Sequence, residues 1–139
     1  MNKALATIVS SRPIRKSKLP VSLRTPKDEH NYGRAKRRGA ARKPFLEEPR
    51  LQEWEHWAII PNAFPYSAAF SVHHMLIPKR VASWKQLKSI ELQELQSILD
   101  QIETMYDSIM VNFPSKQSVV THYHMHLLTF KEKRKELKL

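Results

Sequence analysis

His122-Tyr123-His124-Met125-His126-Leu127-Leu128 puts three of the chain's seven histidines at strict two-residue spacing. In an extended strand successive side chains alternate faces, so the three imidazoles share one surface. Tyr123, Met125 and Leu127 then point the other way, as a strand packed on a core requires. Ser, Thr or Lys would serve as well on a merely solvated face. Three imidazoles in register therefore mark a site as well as a strand.

The rest of the chain bounds where that strand can sit. Its 139 residues suffice for one domain. The net charge of +11 is uneven: residues 1–50 hold 14 Lys and Arg against 4 Asp and Glu, whereas residues 51–139 hold 10 against 9. Residues 1–44 show no apolar periodicity and contain Pro13, Pro20, Pro26, Pro44 and the run Arg34-Ala35-Lys36-Arg37-Arg38. Too little apolar surface is present there to offset chain entropy, so a disordered basic arm is expected over 1–44 and a folded domain over 45–139. Such an arm is suited to nucleic acid or another anionic surface through salt-sensitive phosphate contacts, or to simple solvation. Its first 27 residues lack acids, which is also the composition of an organelle-targeting segment, although Pro13 interrupts any early amphipathic helix. With no cysteine, a disulfide framework, a thiolate cage and a cysteine nucleophile are excluded, which fits a reducing, cytoplasmic compartment. No apolar run has the length of a membrane span.

Within the domain, Leu51, Trp54 and Trp57 are spaced for a short helix. Trp57–Ile60 reads as a strand ended by Pro61-Asn62, and Val72–Ile77 as a second strand closed by Pro78. Ser83 and Gln86 have the spacing of a capping box. Leu92, Leu95, Ile98, Leu99, Ile102, Met105, Tyr106 and Ile109 follow the three-four spacing of one helix face, with Pro114 beyond it. Val119–Phe130 is the expected histidine strand, and 131–139 a charged tail. Strand, strand, long helix, strand predicts an α+β domain, an antiparallel sheet with one long helix on a face. A folded unit this small is expected to gain stability as a homodimer.

Three chemistries compete for the histidine face. Histidines two apart could share a zinc, but residues four apart on a strand lie about 13 Å apart, so one tetrahedral ion with ~2.1 Å bonds cannot easily collect all three imidazoles. No HExxH or similar ligand spacing occurs, so no metal ligands are assigned. A polar or pH-sensitive surface is the plain alternative. Phosphoryl or nucleotidyl transfer uses all three: a neutral imidazole attacks phosphorus, and its neighbours bind oxygens or assist the leaving group.

His-φ-His-φ-His-φ-φ, with φ apolar and Tyr123 counted as φ, resembles the signature of the histidine triad (HIT) superfamily of nucleotide hydrolases and transferases. His73-His74-Met75-Leu76-Ile77-Pro78-Lys79-Arg80 is similar to that family's upstream strand. Asn62-Ala63-Phe64-Pro65-Tyr66 resembles the preceding strand end in members close to galactose-1-phosphate uridylyltransferases and dinucleoside polyphosphate phosphorylases. The resemblance covers about residues 55–130, and the order of elements matches as well.

The resemblance implies an enzyme with a covalent intermediate on His124. His122 then orients His124, and His126 contacts phosphate and leaving-group oxygens. His73 belongs to the site, whereas His74 faces the opposite side. Asn62, Asn112, Gln117 and Ser118 are the implied substrate contacts. The expected substrates are a nucleoside phosphoramidate, a dinucleoside polyphosphate or another nucleotide conjugate. No cofactor is required, although Mg²⁺ could accompany a polyphosphate. The chain departs from the family in having Lys116 where the loop before the triad has Gly, and in having only a short region between the basic arm and Trp57, where family members have more ordered chain including a hairpin. A non-catalytic module binding nucleotide or RNA through the arm is the alternative from another class.

Overall fold

Five antiparallel strands in the order β1-β2-β3-β5-β4 make the scaffold. In the computed structural model, residues 22–39, 44–46, 48–117 and 119–132 are described. They form helix α1 (Pro26–Arg37), strands β1 (Gln52–Glu53), β2 (Trp57–Pro61) and β3 (Phe70–Pro78), helix α2 (Ser89–Ile102), and strands β4 (Ser108–Met110) and β5 (Met125–Phe130).

Period-two alternation sorts the side chains of β2, β3 and β5 between two faces. On one, Trp57, Ile59, Leu76, Tyr123, Met125 and Leu127 pack against Leu95, Ile98 and Ile102 of α2. Each fully buried side chain of this kind contributes about 1.5–3 kcal/mol. On the other face, Ala58, Ile60, Met75 and Ile77 form a smaller cluster under Phe45. The pairing of Met75 with His126 places the histidine side of β5 on this second face.

α2 is bound to the sheet by more than its apolar stripe. Glu91 is buried, and its carboxylate accepts from Arg80 and from the Lys88 backbone N–H. The Trp57 indole N–H donates to the Glu91 carbonyl at 2.8 Å. Arg80 lies just past the end of β3, after Lys79, so this ion pair joins the end of the strand to the start of the helix.

Three expectations are corrected, and the Ser83–Gln86 capping box is found. Leu51–Trp57 is not a helix: Leu51 N–H donates to the Ile59 carbonyl and Trp54 N–H to that of Trp57, making a β1–β2 hairpin. Seven residues cannot offset helix nucleation without tertiary packing, and Leu51 is exposed. The long helix stops at Ile102, and Ile109 belongs to β4, opposite Leu127. Thr104 and Asp107 are weak helix formers, and the free edge of β5 offers a ladder instead. The histidine strand pairs only from Met125: the β3–β5 ladder ends at Leu76 and Met125, although β3 itself runs on to Pro78 against β2. Residues 122–124 lie outside the ladder, with Tyr123 N–H on the Ala82 carbonyl. The Ser83–Gln86 box opens only a 3-10 turn, Trp84–Gln86, in which Gln86 Oε1 accepts the Ser83 N–H.

The segment expected to be disordered contains α1. This helix buries no residue, so an apolar-periodicity criterion cannot detect it. Its stability comes from its ends: Thr25 caps it, Pro26 opens it, Asp28 and Glu29 lie in its first turn, and Arg34, Lys36 and Arg37 lie in its last. Gly39 follows with φ 78°, a left-handed conformation suited to glycine after a helix end. Leu23 O accepts from Ala68 N–H, Thr25 N–H donates to Ser67 Oγ, and Ser67 Oγ bonds Asp28. These contacts fasten the start of α1 to the β2–β3 connection.

Candidate active site

The second face of the sheet opens into a cavity of about 250 Å³. Its wall comprises Arg24, Tyr32 and Lys36 from the α1 segment, Phe45, and Asn62, Phe64 and Tyr66 of the β2–β3 connection. Met75, Asn112, Lys116, Val119, His124 and His126 complete it. Among the described residues, three cations line the space and no carboxylate does, which favours an anion.

Hydrogen bonds assign the protonation of each imidazole. His122 is fully buried behind the cavity wall. Its Nδ1 accepts from Phe45 N–H at 3.0 Å, so Nε2 carries the proton and donates to the Pro78 carbonyl at 2.7 Å. His124 Nδ1 lies 3.0 Å from the His122 carbonyl, which can only accept, so Nδ1 is the protonated nitrogen. A neutral His124 therefore keeps its lone pair on Nε2. The two-residue spacing is what brings the backbone carbonyl of one histidine to the ring of the next.

A second relay sets His126. Tyr66 N–H donates to His73 Nδ1 at 2.9 Å, so the His73 proton resides on Nε2 and reaches His126 Nδ1 at 2.7 Å. Neutral His126 is then protonated on Nε2, a buried atom that has no hydrogen-bond partner among the described residues. The site thus holds one basic nitrogen and one unused N–H donor on neighbouring rings whose centroids are 5.2 Å apart. Asn62 Oδ1 accepts from Phe64 N–H, which turns its amide NH₂ toward His73 Nε2 at 3.1 Å as a packing contact.

Burial keeps these rings neutral. It is the largest cause lowering the pKa of His122 and His124, although bonds to the Pro78 and His122 carbonyls oppose it. His73 is pushed down to about 3, first by burial and then by the Arg24 charge. His126 is also pushed down to about 3, by burial, by His73 and His124, and by Arg24. A neutral ring retains the lone pair that a nucleophile needs.

Of the residues expected in the site, His124, His126, Asn62 and Asn112 line the cavity. His73 and His122 stand behind them as hydrogen-bonding supports. Asn112 Nδ2 contacts the Tyr66 hydroxyl at 3.5 Å. Gln117 is not on the wall: its amide donates to the Asn112 carbonyl at 2.8 Å and holds the loop instead. Ser118 lies outside the described residues. His74 faces the other side of β3, with Nδ1 2.7 Å from the Tyr106 hydroxyl.

Arg24, Tyr32, Lys36, Phe45 and Tyr66 are site residues that the sequence reading missed. Two signals could have found the α1 group. Tyr32 is the only aromatic residue before Phe45. Thr25-Pro26-Lys27-Asp28 carries the cap, proline and acid of a helix start.

Among the described residues, Glu55, His56 and Glu94 form the group of three side chains close enough to share one ion. They lie away from the triad, in a region where Lys79, Arg80 and Lys88 line the adjoining cleft and oppose a cation. No described helix is long and apolar enough to cross a membrane.

No family model and no curated protein matches the chain. Solved structures do. A HIT-like protein superposes with a TM-score of 0.50 at 18% identity, over 62% of this chain and 89% of that one. A HIT family hydrolase from Legionella pneumophila Philadelphia 1 gives 0.48 at 20% identity, over 63% and 85%. A histidine triad protein from Clostridium difficile gives 0.46 at 17%, over 70% and 88%. The first likeness shows the fold. The chain is thus similar to histidine triad proteins in fold, and its own residues 122–128 carry the triad pattern.

Proposed function

We propose that the chain is a nucleotide hydrolase or nucleotidyltransferase of the histidine triad type, with His124 as its nucleophile. The observation that carries this reading is the bond from His124 Nδ1–H to the His122 carbonyl, which leaves Nε2 basic in a cation-lined cavity. In the proposed step, the Nε2 lone pair attacks the α-phosphorus of a nucleotide conjugate. A phosphorus–nitrogen bond forms, and the bond to the leaving group breaks with its electron pair. The imidazolium so formed is stabilised by the His122 carbonyl already on Nδ1–H. His126 Nε2–H donates to the developing phosphoryl charge. Water then attacks the same phosphorus and restores His124.

The substrates consistent with this step are a nucleoside phosphoramidate, a dinucleoside polyphosphate or another nucleotide conjugate. Small-molecule sites generally span roughly 300–1,000 Å³. A cavity of about 250 Å³ therefore holds one nucleotide portion and leaves the rest of a larger conjugate outside. No protein step needs a metal, although Mg²⁺ could accompany a polyphosphate. The reading includes a homodimer in the cytoplasm, and the exposed Ile109 on edge strand β4 supports a contact between copies.

Rapidly quenched intact-protein mass spectrometry, kept out of acid, tests the intermediate. Adenosine phosphoramidate and diadenosine tetraphosphate are offered to the wild type and to His124→Ala. A nucleotide-sized adduct on the wild type alone is expected, and turnover by His124→Ala would contradict the assignment.

A non-catalytic module binding nucleotide or RNA is the second reading, favoured by Lys116 on the cavity wall and the basic residues of 1–44. Changing Arg12, Arg15, Lys16 and Lys18 together to Gln should flatten the salt dependence of RNA binding if the arm binds phosphates. An unchanged slope would remove the arm from the reading.

A further inference from the structure

The α1 segment places a charged side chain in the cavity more firmly than a solvated arginine would be held. Arg24 Nε donates to the Phe64 carbonyl at 3.0 Å. The guanidinium lies 3.8 Å from the centre of the Tyr32 ring and 5.0 Å from that of Tyr66. Its only carboxylate partner among the described residues, Glu29, is 3.5 Å away and half-exposed. Docking of α1 does not require this residue, because Leu23, Thr25 and Asp28 already bind Ala68 and Ser67. A preorganised arginine loses little conformational freedom when it binds an oxyanion, and its planar fork suits phosphate.

Three cations exceed what one α-phosphate needs when His126 already donates to it. A cationic amine leaving group would meet Arg24, Lys36 and Lys116 with no carboxylate among the lining residues to receive it. A leaving group made of further phosphates would be met by complementary charge. The lowered pKa values of His73 and His126 agree with this placement, since Arg24 is among the causes for both.

We propose that Arg24 is a substrate-binding, specificity-determining residue that, with Lys36 and Lys116, receives phosphates beyond the α-phosphate and makes the cavity prefer an anionic leaving group. This rests on the reading of the His124 cavity as a nucleotide site, yet it is tested by binding and not by turnover. α1 is thereby a selecting wall and the sheet the reacting wall.

Calorimetric titration of the full chain with AMP and with ATP, at fixed salt and without divalent ions, reads the effect. Wild type should bind ATP more tightly than AMP. Arg24→Gln should lose roughly ten- to hundredfold in ATP affinity, the range for a charge-assisted hydrogen bond, and little AMP affinity. Arg24→Lys should fall between them. Lys27→Gln removes an equal charge from an exposed position of α1 outside the cavity and should keep the preference. Equal losses for AMP and ATP in Arg24→Gln would overturn the proposal, as would no preference in the wild type. Equal losses in Lys27→Gln and Arg24→Gln would overturn it too, by assigning the preference to diffuse charge. Parallel turnover assays keep the two readings apart. ATP preference without any turnover would sink catalysis alone, and turnover without ATP preference would sink the role of Arg24 alone.

Discussion

The two walls of the cavity are built on opposite physical terms. The sheet wall presents His124 and His126, both buried, uncharged and held by hydrogen bonds that set which nitrogen carries a proton. The α1 wall presents Tyr32 and Lys36 from a helix with no buried residue, and Arg24 from just ahead of its cap, docked through polar contacts near the helix start. Burial gives the first wall rigidity and a lowered basicity. Polar docking gives the second wall charge, which a buried helix could not have carried without a large desolvation cost. A neutral nucleophile and a cationic binding surface can thus coexist across one small cavity, because the largely buried Arg24 charge is met by the Phe64 carbonyl, by Glu29 and by the Tyr32 and Tyr66 rings.

The widest separation of the walls should come from His124. Replacing it by Asn should reduce turnover by about 10⁴-fold or more, as expected for loss of a nucleophile, while nucleotide binding stays near the wild-type value. His126→Ala should cost roughly 10²–10³-fold in turnover, like loss of an oxyanion donor, and should weaken binding as well. Single-turnover kinetics with matched titrations check both, and equal residual activity would contradict the division of roles.

Acid should strike the sheet wall first. His73 and His126 have folded-state pKa values pushed down to about 3 from an ordinary 6.5. Between these limits the unfolded chain binds the additional protons, so stability is fully present above about pH 6.5 and falls as the pH drops toward 3. The slope should reach about 1.4 kcal/mol per pH unit for each of the two rings. Denaturant melts at stepped pH read this, and a flat stability across pH 6.5 to 4 would contradict the burial argument. The depressed basicity of His124 also predicts that the acid limb of kcat/KM lies below pH 6.5.

The α1 wall should yield to a gentler change. Ser67 Oγ accepts from Thr25 N–H and bonds Asp28. Ser67→Ala should lower hydrogen-exchange protection over residues 26–37 roughly fivefold, the scale of one net hydrogen bond. Protection of β3 and β5 should not change. A joint loss across helix and sheet would mean that the walls form one cooperative unit.

The pattern that was legible in the sequence came from chain geometry. Alternation assigns His122, His124 and His126 to one side and Tyr123, Met125 and Leu127 to the other, and the structure keeps that division even at residues 122–124, which precede β5 and its ladder. The same geometry separates His73 from His74. Leu95, Ile98 and Ile102 announced the covering helix, but its end was misread because Ile109 fits a helix stripe and a sheet edge equally well.

Period and residue type in the chain alone determined the antiparallel scaffold, the helix that covers it and the histidine face. Tertiary structure decided which nitrogen of each ring is protonated, because Phe45 N–H lies 77 residues from His122, and His73 lies 53 residues from His126. It also decided that the basic segment holding Arg24 forms a wall of the site. Local periodicity reports which way a side chain points and says nothing of a distant donor that will meet it. A helix that buries nothing leaves no apolar rhythm to read, so its place is set only by the partners it finds once the sheet is built.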